Sequence, residues 1–290
     1  MPPSADQLHR FLIENTKVRG ELVHLDDTWR ALHAPVEYPE EVRLILGQAV
    51  TAVALLAATV KFCGNLSLQI NGNGPLHMLV VQATSQSTVR GLARWRGATT
   101  GKSFPDLVGD ARLMLTIDPA TRGERYQGIV EAQGCDLAGV LQGYFQRSEQ
   151  LPTRLWLAAD NTRAGGLLLQ RLPGDEDEED WNRLSLLSAT VKRDELLNLS
   201  AHKLLDRLYR QEDVRVFSPA TISHRCSCSE EKVKATLRAL GEKELESEID
   251  QNNEIIVNCE FCGTVFRYDA VDFALLFFKD TPSPAGDMRH

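Results

Sequence analysis

No apolar run in this sequence reaches the length that crosses a membrane. The longest, Ala49 to Val60, is broken by Thr51 and Thr59, whereas a spanning helix needs about 20 predominantly apolar residues. The first residues, Met1-Pro-Pro-Ser-Ala-Asp6, have neither a basic stretch nor an apolar core, so no secretory signal is expected there. No glycine-rich loop carries the lysine and hydroxyl of a phosphate cradle. Asn71-Gly-Asn-Gly-Pro75 comes closest, but no helix pattern follows it, and it is expected to be a hairpin turn. No Ser/His/Asp arrangement, paired-carboxylate pattern or internal repeat stands out, and the seven histidines are scattered. A basic excess is also missing. Residues 1–173 carry 17 Lys+Arg and 16 Asp+Glu, net +1; residues 174–290 carry 15 and 24, net −9, which together give the −8 of the whole chain. Nucleic-acid binding needs a basic footprint, so the acidic second part argues against it. The chain is therefore expected to be cytosolic and not to be an enzyme of a common pattern.

What is present is an ordinary globular composition. The chain has 290 residues, 43% hydrophobic and 25% charged, enough for one large domain or two smaller ones. Gln7 to Glu14 reads as a short helix, and Lys17 to Leu25 as a strand with an irregularity at Gly20. Pro39 opens a long helix in which Val42, Leu46, Ala49, Val50, Val53, Leu56, Ala57 and Val60 recur at helical spacing. Gly64–Ile70 and Leu76–Gln82 alternate as the arms of a hairpin. Further strands are expected at Thr88–Arg94, Ala111–Ile117, Tyr126–Ala132, Thr153–Ala159 and Gly166–Gln170, with a helix over Leu137–Gln146 capped by Asp136. Strands outnumber helices and several neighbours are joined by short turns. The fold class expected is therefore α+β, with a mainly antiparallel sheet domain over 1–173.

Pro173-Gly-Asp-Glu-Asp-Glu-Glu-Asp180 marks a boundary, since six consecutive acids cannot bury a core. Trp181 to Arg210 is then helical, with Leu184, Leu187, Val191, Leu197, Leu204, Leu205 and Leu208 at apolar spacing. This linker, 174–222 with its acidic loop, has no core of its own and must lie on something. Val214–Phe217 reads as extended and leads to a third region, 223–290.

That region holds four of the six cysteines: Cys226-Ser-Cys228, thirty residues, then Cys259-Glu-Phe-Cys262-Gly263. Two close pairs can converge on one tetrahedral ion with four sulfur ligands, and zinc is the expected metal. The second pair sits between two short strand patterns, Glu254–Asn258 and Thr264–Tyr268, as a knuckle turn in which Gly263 supplies positive φ. The first has a spacer one residue shorter than usual. It runs into Ser229 as N-cap of a helix bearing Val233, Leu237 and Leu240, with Gly241 past its end. Asp269 caps a last helix. His224 is a rival ligand, but with four sulfurs available a surface position is expected. Cys63 and Cys135 are expected to be small buried hydrophobes. A thioredoxin-type role for Cys259 and Cys262 does not fit, because that motif opens a helix in a βαβ unit.

Glu14-Asn-Thr-Lys-Val-Arg-Gly20, Gln69-Ile-Asn-Gly-Asn-Gly-Pro-Leu76, Gly143-Tyr-Phe-Gln-Arg-Ser-Glu-Gln150, Ala164-Gly-Gly166 and Gln170-Arg-Leu-Pro173, together with the cysteine pairs, make the chain resemble the thirty-three-kilodalton heat-shock protein family, nearly end to end. The resemblance implies a redox-regulated, ATP-independent holdase chaperone that binds unfolded clients. It implies that Cys226, Cys228, Cys259 and Cys262 are both the ligands of one zinc and the redox switch, and that the active form is a homodimer. Chain proximity then pairs Cys226 with Cys228 and Cys259 with Cys262 on oxidation, since those loops close at least entropic cost. Three rival readings of the same residues are a zinc-ribbon nucleic-acid module, a thiol–disulfide oxidoreductase and a metal-stabilised structural protein without a switch. Against the first, residues 225–290 carry a net charge of −5.

Overall fold

The computed structural model describes residues 6–120, 124–174 and 178–277. Residues 175–177 of the acidic run and the tail from Thr281 lie outside the described residues. The chain divides into two compact units, Met1–Cys226 and Ser227–His290. The class is α+β with antiparallel sheets, as the strand and turn patterns predict.

The first unit has two sheets. One runs β10-β1-β2-β9-β8, from β1 (Gln7–Ile13), β2 (Val18–Leu25), β8 (Thr153–Ala159), β9 (Ala164–Arg171) and β10 (Val214–Val216); β11 (Ala220–Thr221) also pairs with β1. The other runs β12-β5-β4-β3-β6-β7, from β3 (Gly64–Gly72), β4 (Leu76–Thr84), β5 (Thr88–Trp95), β6 (Ala111–Pro119), β7 (Tyr126–Glu131) and β12 (Ser223–His224). All pairs are antiparallel except β12 on β5. The last residues of the linker and the two after it therefore complete sheets begun in the first hundred residues.

Helix α2 (Glu40–Thr59) ties the two sheets together. Val42, Leu46, Val50, Val53 and Leu56 are sealed from solvent, as are the small residues between them, so the helix is buried nearly all round. Side chains of both sheets join it in one apolar cluster. Pro39 takes the extended cap position just before the helix. By length and composition α2 could span a membrane, but most of it is inside the protein. Helix α1 (Asp27–His33) was not legible in the sequence. Its first turn is capped from afar by Asp6, whose carboxylate accepts from the N–H groups of Asp26 and Thr28 at 2.7 and 2.9 Å. The short α3 (Phe104–Val108), capped by Ser103, was also unforeseen.

The helix expected over Gln7–Glu14 is instead strand β1. Leu8 points into the α2 core, while Phe11 and Ile13 enter a second cluster on the opposite face. Both faces are buried, so the alternation that identifies a strand is absent and Leu8, Phe11 and Leu12 imitate helical spacing. The irregularity at Gly20 also has a cause. Phe11 pairs with Gly20 across the strands, and its ring lies where a Cβ would be, 2.1 Å from the nearest atom.

The expected helix over Leu137–Gln146 is α4 (Leu137–Tyr144) followed by a π-helical turn, Phe145–Glu149; Asp136 caps it through the Gly139 N–H. The linker forms three helices, α5 (Glu178–Ser188), α6 (Arg193–Asn198) and α7 (Ala201–Leu208). Arg207 fastens α7 to the start of α6, donating to Glu195 at 2.5 and 2.6 Å and to the Thr190 carbonyl at 2.8 Å. The apolar stripe lies on the first sheet: Trp181, Leu184, Leu196, Leu197, Leu204 and Leu208 cluster with Phe11, Ile13, Val18, Leu22, Leu167 and Leu169.

The second unit holds α8 (Glu230–Leu240), α9 (Glu242–Asn252), the hairpin β13 (Glu254–Asn258) with β14 (Val265–Asp269), and α10 (Ala270–Phe277). Ser229 accepts from the Lys232 N–H and Gly241 ends α8 at φ 98°. Asp269 accepts from the N–H groups of Val271 and Asp272, as expected of the cap. Its core is small: Leu237, Leu245, Ile255, Tyr268 and Leu276 are its buried apolar side chains among the described residues.

Candidate metal centre

Two local geometries bring the cysteines together. On the first side, β12 ends with the Arg225 N–H on the Val89 carbonyl at 3.1 Å, and the chain passes through Cys226 to Cys228. Ser229 then caps α8, so Cys228 sits just before a helix N-terminus. Lys232 adds a cation nearby, donating to the Ser227 carbonyl at 2.6 Å. On the other side, the β13–β14 hairpin is closed by a knuckle. The Cys259 N–H reaches the Thr264 carbonyl at 2.9 Å and the Gly263 N–H reaches the Cys259 carbonyl at 2.8 Å, with Gly263 at φ 70°. The positive φ expected of Gly263 is there.

The four sulfurs of Cys226, Cys228, Cys259 and Cys262 all lie within 4.8 Å of one another, and each residue is half-buried. Four ligands at about 2.3 Å from a tetrahedral ion stand about 3.8 Å apart. The Cys228 and Cys262 sulfurs are 3.4 Å apart. The arrangement is thus at the scale of a four-sulfur site, and these residues can hold a metal ion. The 228–262 contact crosses the two sequence pairs, and Cys262 is also hydrogen-bonded to Cys259.

Electrostatics favour thiolate at one corner. Burial pushes the Cys262 thiol up. Hydrogen bonds from the Thr264 hydroxyl, 3.2 Å away, from the Thr264 N–H, and from Cys228 and Cys259 outweigh it and bring the thiol down to about 6. Thr264 and Lys232 are functional neighbours that sequence reasoning missed. Each acts through a turn or side-chain reach that spacing does not show.

The other expectations are corrected. His224 is not one of the clustered ligands, as expected, but it is half-buried rather than on the surface and is paired along β12 with Val89. Cys63 and Cys135 are exposed, not buried hydrophobes. Each sits beside a glycine in a connection between elements, where no core reaches it.

The family model of the Hsp33 protein matches residues 6–269. A 33 kDa chaperonin of Methylobacillus flagellatus is 45% identical over 290 residues, 99% of both chains. One from Nitrosococcus oceani is 48% identical over 98% of this chain and 99% of its own. The crystal structure of a 33 kDa chaperonin from Thermotoga maritima superposes with a TM-score of 0.82 at 22% identity, over 93% of this chain and 97% of that one.

Proposed function

The chain belongs to the Hsp33 family and has a chaperone role, and from that premise we propose that it is a redox-regulated, ATP-independent holdase whose switch is the four-cysteine centre. The functional divisions are a core over 1–173, a linker over 174–222 and a switch over 223–290. The observation that carries the reading is the pairing of a four-sulfur cluster with a unit that seals few apolar side chains. Cys226, Cys228, Cys259 and Cys262 would hold one zinc in the reduced protein. A structural zinc supplies on the order of 10–16 kcal/mol of folding free energy, as much as a whole domain's net stability.

Oxidation works on the ligands. Two equivalents of peroxide take four electrons from four thiolates and, with four protons, become four waters. Two disulfides form, Cys226 with Cys228 and Cys259 with Cys262, and no thiolate remains for a metal. The second unit then loses its main support. Strands β10 to β12 and the linker helices precede it directly in the chain, and they loosen in turn. Lifting α5 to α7 uncovers the face of Phe11, Leu22, Leu167 and Leu169 together with the linker's own stripe, a continuous apolar surface for unfolded clients. The activity is binding rather than catalysis, in the cytosol, and the active form is a homodimer. Reduced and peroxide-treated protein compared in a client-aggregation assay, with zinc release followed in parallel, tests the reading. Equal holding by both forms would overturn it, and peptide mapping dominated by 226–259 or 228–262 links would overturn the pairing.

A further inference from the structure

Two histidines are buried where the linker helices meet the first sheet. His9 on β1 and His24 on β2 lie on the face that carries Phe11, Ile13 and Leu22, and they are 7% and 3% exposed. One ring nitrogen of His24 donates to the Leu196 carbonyl of α6, while its Nε2 is sealed without a partner; Nδ1 of His9 is sealed in the same way. His202, in the first turn of α7, stands edge-on to His9 with ring centroids 6.0 Å apart. Two of the three linker helices, α6 and α7, thus meet the buried imidazoles of His24 and His9.

A proton added to the buried Nε2 of His24 makes a cation with no acceptor, which low-dielectric surroundings oppose. The neighbouring charges do not relieve it. His9 faces it from β1 and His202 stands behind His9 on α7. Arg163, from the turn between β8 and β9, faces it while lying 3.6 Å from Asp26 and donating to Asn198. On α6, Asp194 accepts from Asn198, and Glu195 is taken by Arg207 and the Lys192 N–H. β9 offers Gly165 there, and β11 offers Ala220 and Thr221, none charged. Among the described residues, the side-chain charges acting on His24 and His9 are other histidines and Arg163, all of which oppose a further positive charge.

We propose that His9 and His24, with His202 as the neighbour that His9 meets on α7, form an acid-sensitive latch: as pH falls, protonation of the two buried imidazoles releases α6 and α7 from β1 and β2 while the four-cysteine centre stays intact. Burial first, and neighbouring histidine second, hold His9 below its ordinary value and bring His24 down to about 4. The lifted linker restores the ordinary value, about 6.5. Docking therefore has full strength above about pH 6.5 and weakens as pH falls toward the docked value. His24 alone makes the open linker about tenfold more populated at pH 5.5 than at pH 7.5.

The functional consequence rests on the reading that the linker covers client surface. The experiment uses the full chain, reduced and zinc-loaded. Amide protection of residues 181–208, corrected for intrinsic exchange rates, is measured at pH 7.5 and 5.5 with zinc release monitored. The wild type should open about tenfold more at pH 5.5 with zinc retained. His24→Asn, which keeps a donor for Leu196 and cannot titrate, should lose most of that rise. His202→Asn, at an exposed position, serves as the milder variant and should reduce it. Unchanged protection in the wild type, an equal rise in both variants, or zinc loss over the same pH range would overturn the latch. Opening without client holding would support the latch and overturn instead the reading of the linker as a cover.

Discussion

The two units of this chain are stabilised by different means. Among the described residues the first seals 42 apolar residues in one cluster and 16 in another, while the second seals five and carries three of the four clustered cysteines, the fourth being the last residue of the first unit. Buried area is a diffuse source of stability: it weakens a little when any one contact is lost. A metal centre is a concentrated one, removed by chemistry on a few atoms. If the proposed switch holds, placing both in one chain would let an oxidant unfold one part and spare the other. The linker is intermediate, since its apolar stripe is shared with the first sheet and its covalent continuation runs toward the cysteines.

The largest effect should come from the metal ligands. Cys262→Ser, or chelation of zinc, is expected to remove most of a contribution on the order of 10 kcal/mol. Amide protection should vanish over 227–277 and persist over the strands of the first unit; full protection throughout with stoichiometric zinc would erase the contrast. Next is Leu204→Ala, at a fully buried linker position. It should weaken docking by about 2–5 kcal/mol and make the reduced, zinc-loaded protein hold clients without oxidant. A variant that stays inactive until oxidised would place client binding elsewhere.

A third test stays inside the first unit. Glu21 is almost fully buried on the α2 face of β2, and burial, against the pull of Arg19 and Arg10, raises its carboxyl to about 7. Its protonated form is favoured by folding, so this contribution is full at low pH and lost as pH rises through the folded value. Glu21→Gln should therefore stabilise the first unit by up to about 3 kcal/mol at pH 7.5 and leave it nearly unchanged at pH 4, read by urea titration. The sign is opposite to that of His24, which lies on the other face of the same strand. The smallest effect belongs to the exposed pair of Arg267 and Glu254, 3.0 Å apart across the β13–β14 hairpin. Arg267→Ala should change the stability of the zinc-loaded second unit by less than about 1 kcal/mol in thermal unfolding.

Much of this was legible in the sequence. The cysteine spacing and the strand patterns flanking Cys259 and Cys262 marked the site, because a knuckle is a local structure with local signals. The long helix and the hairpins were legible for the same reason. Strand β1 was not, since burial of both faces removes the alternation that identifies it. Helix α1 was hidden because its cap, Asp6, lies some twenty residues upstream in the chain. The seat of the linker was beyond reach as well: an amphipathic stripe shows that a helix needs a partner, not which face supplies it. The three clustered histidines sit far apart in sequence, and only the folded chain brings them together.

The pairing of late strands with early ones gives the protein a history as well as a shape. While it is being synthesised, β1 and β5 leave the ribosome long before Val214–His224 exist to cover their outer edges. Open strand edges recruit other strands. The newborn chain therefore passes through a stage with two adhesive borders, and it closes them itself only when the residues just before Cys226 have been made. A fragment ending at 173 would be held at that stage permanently.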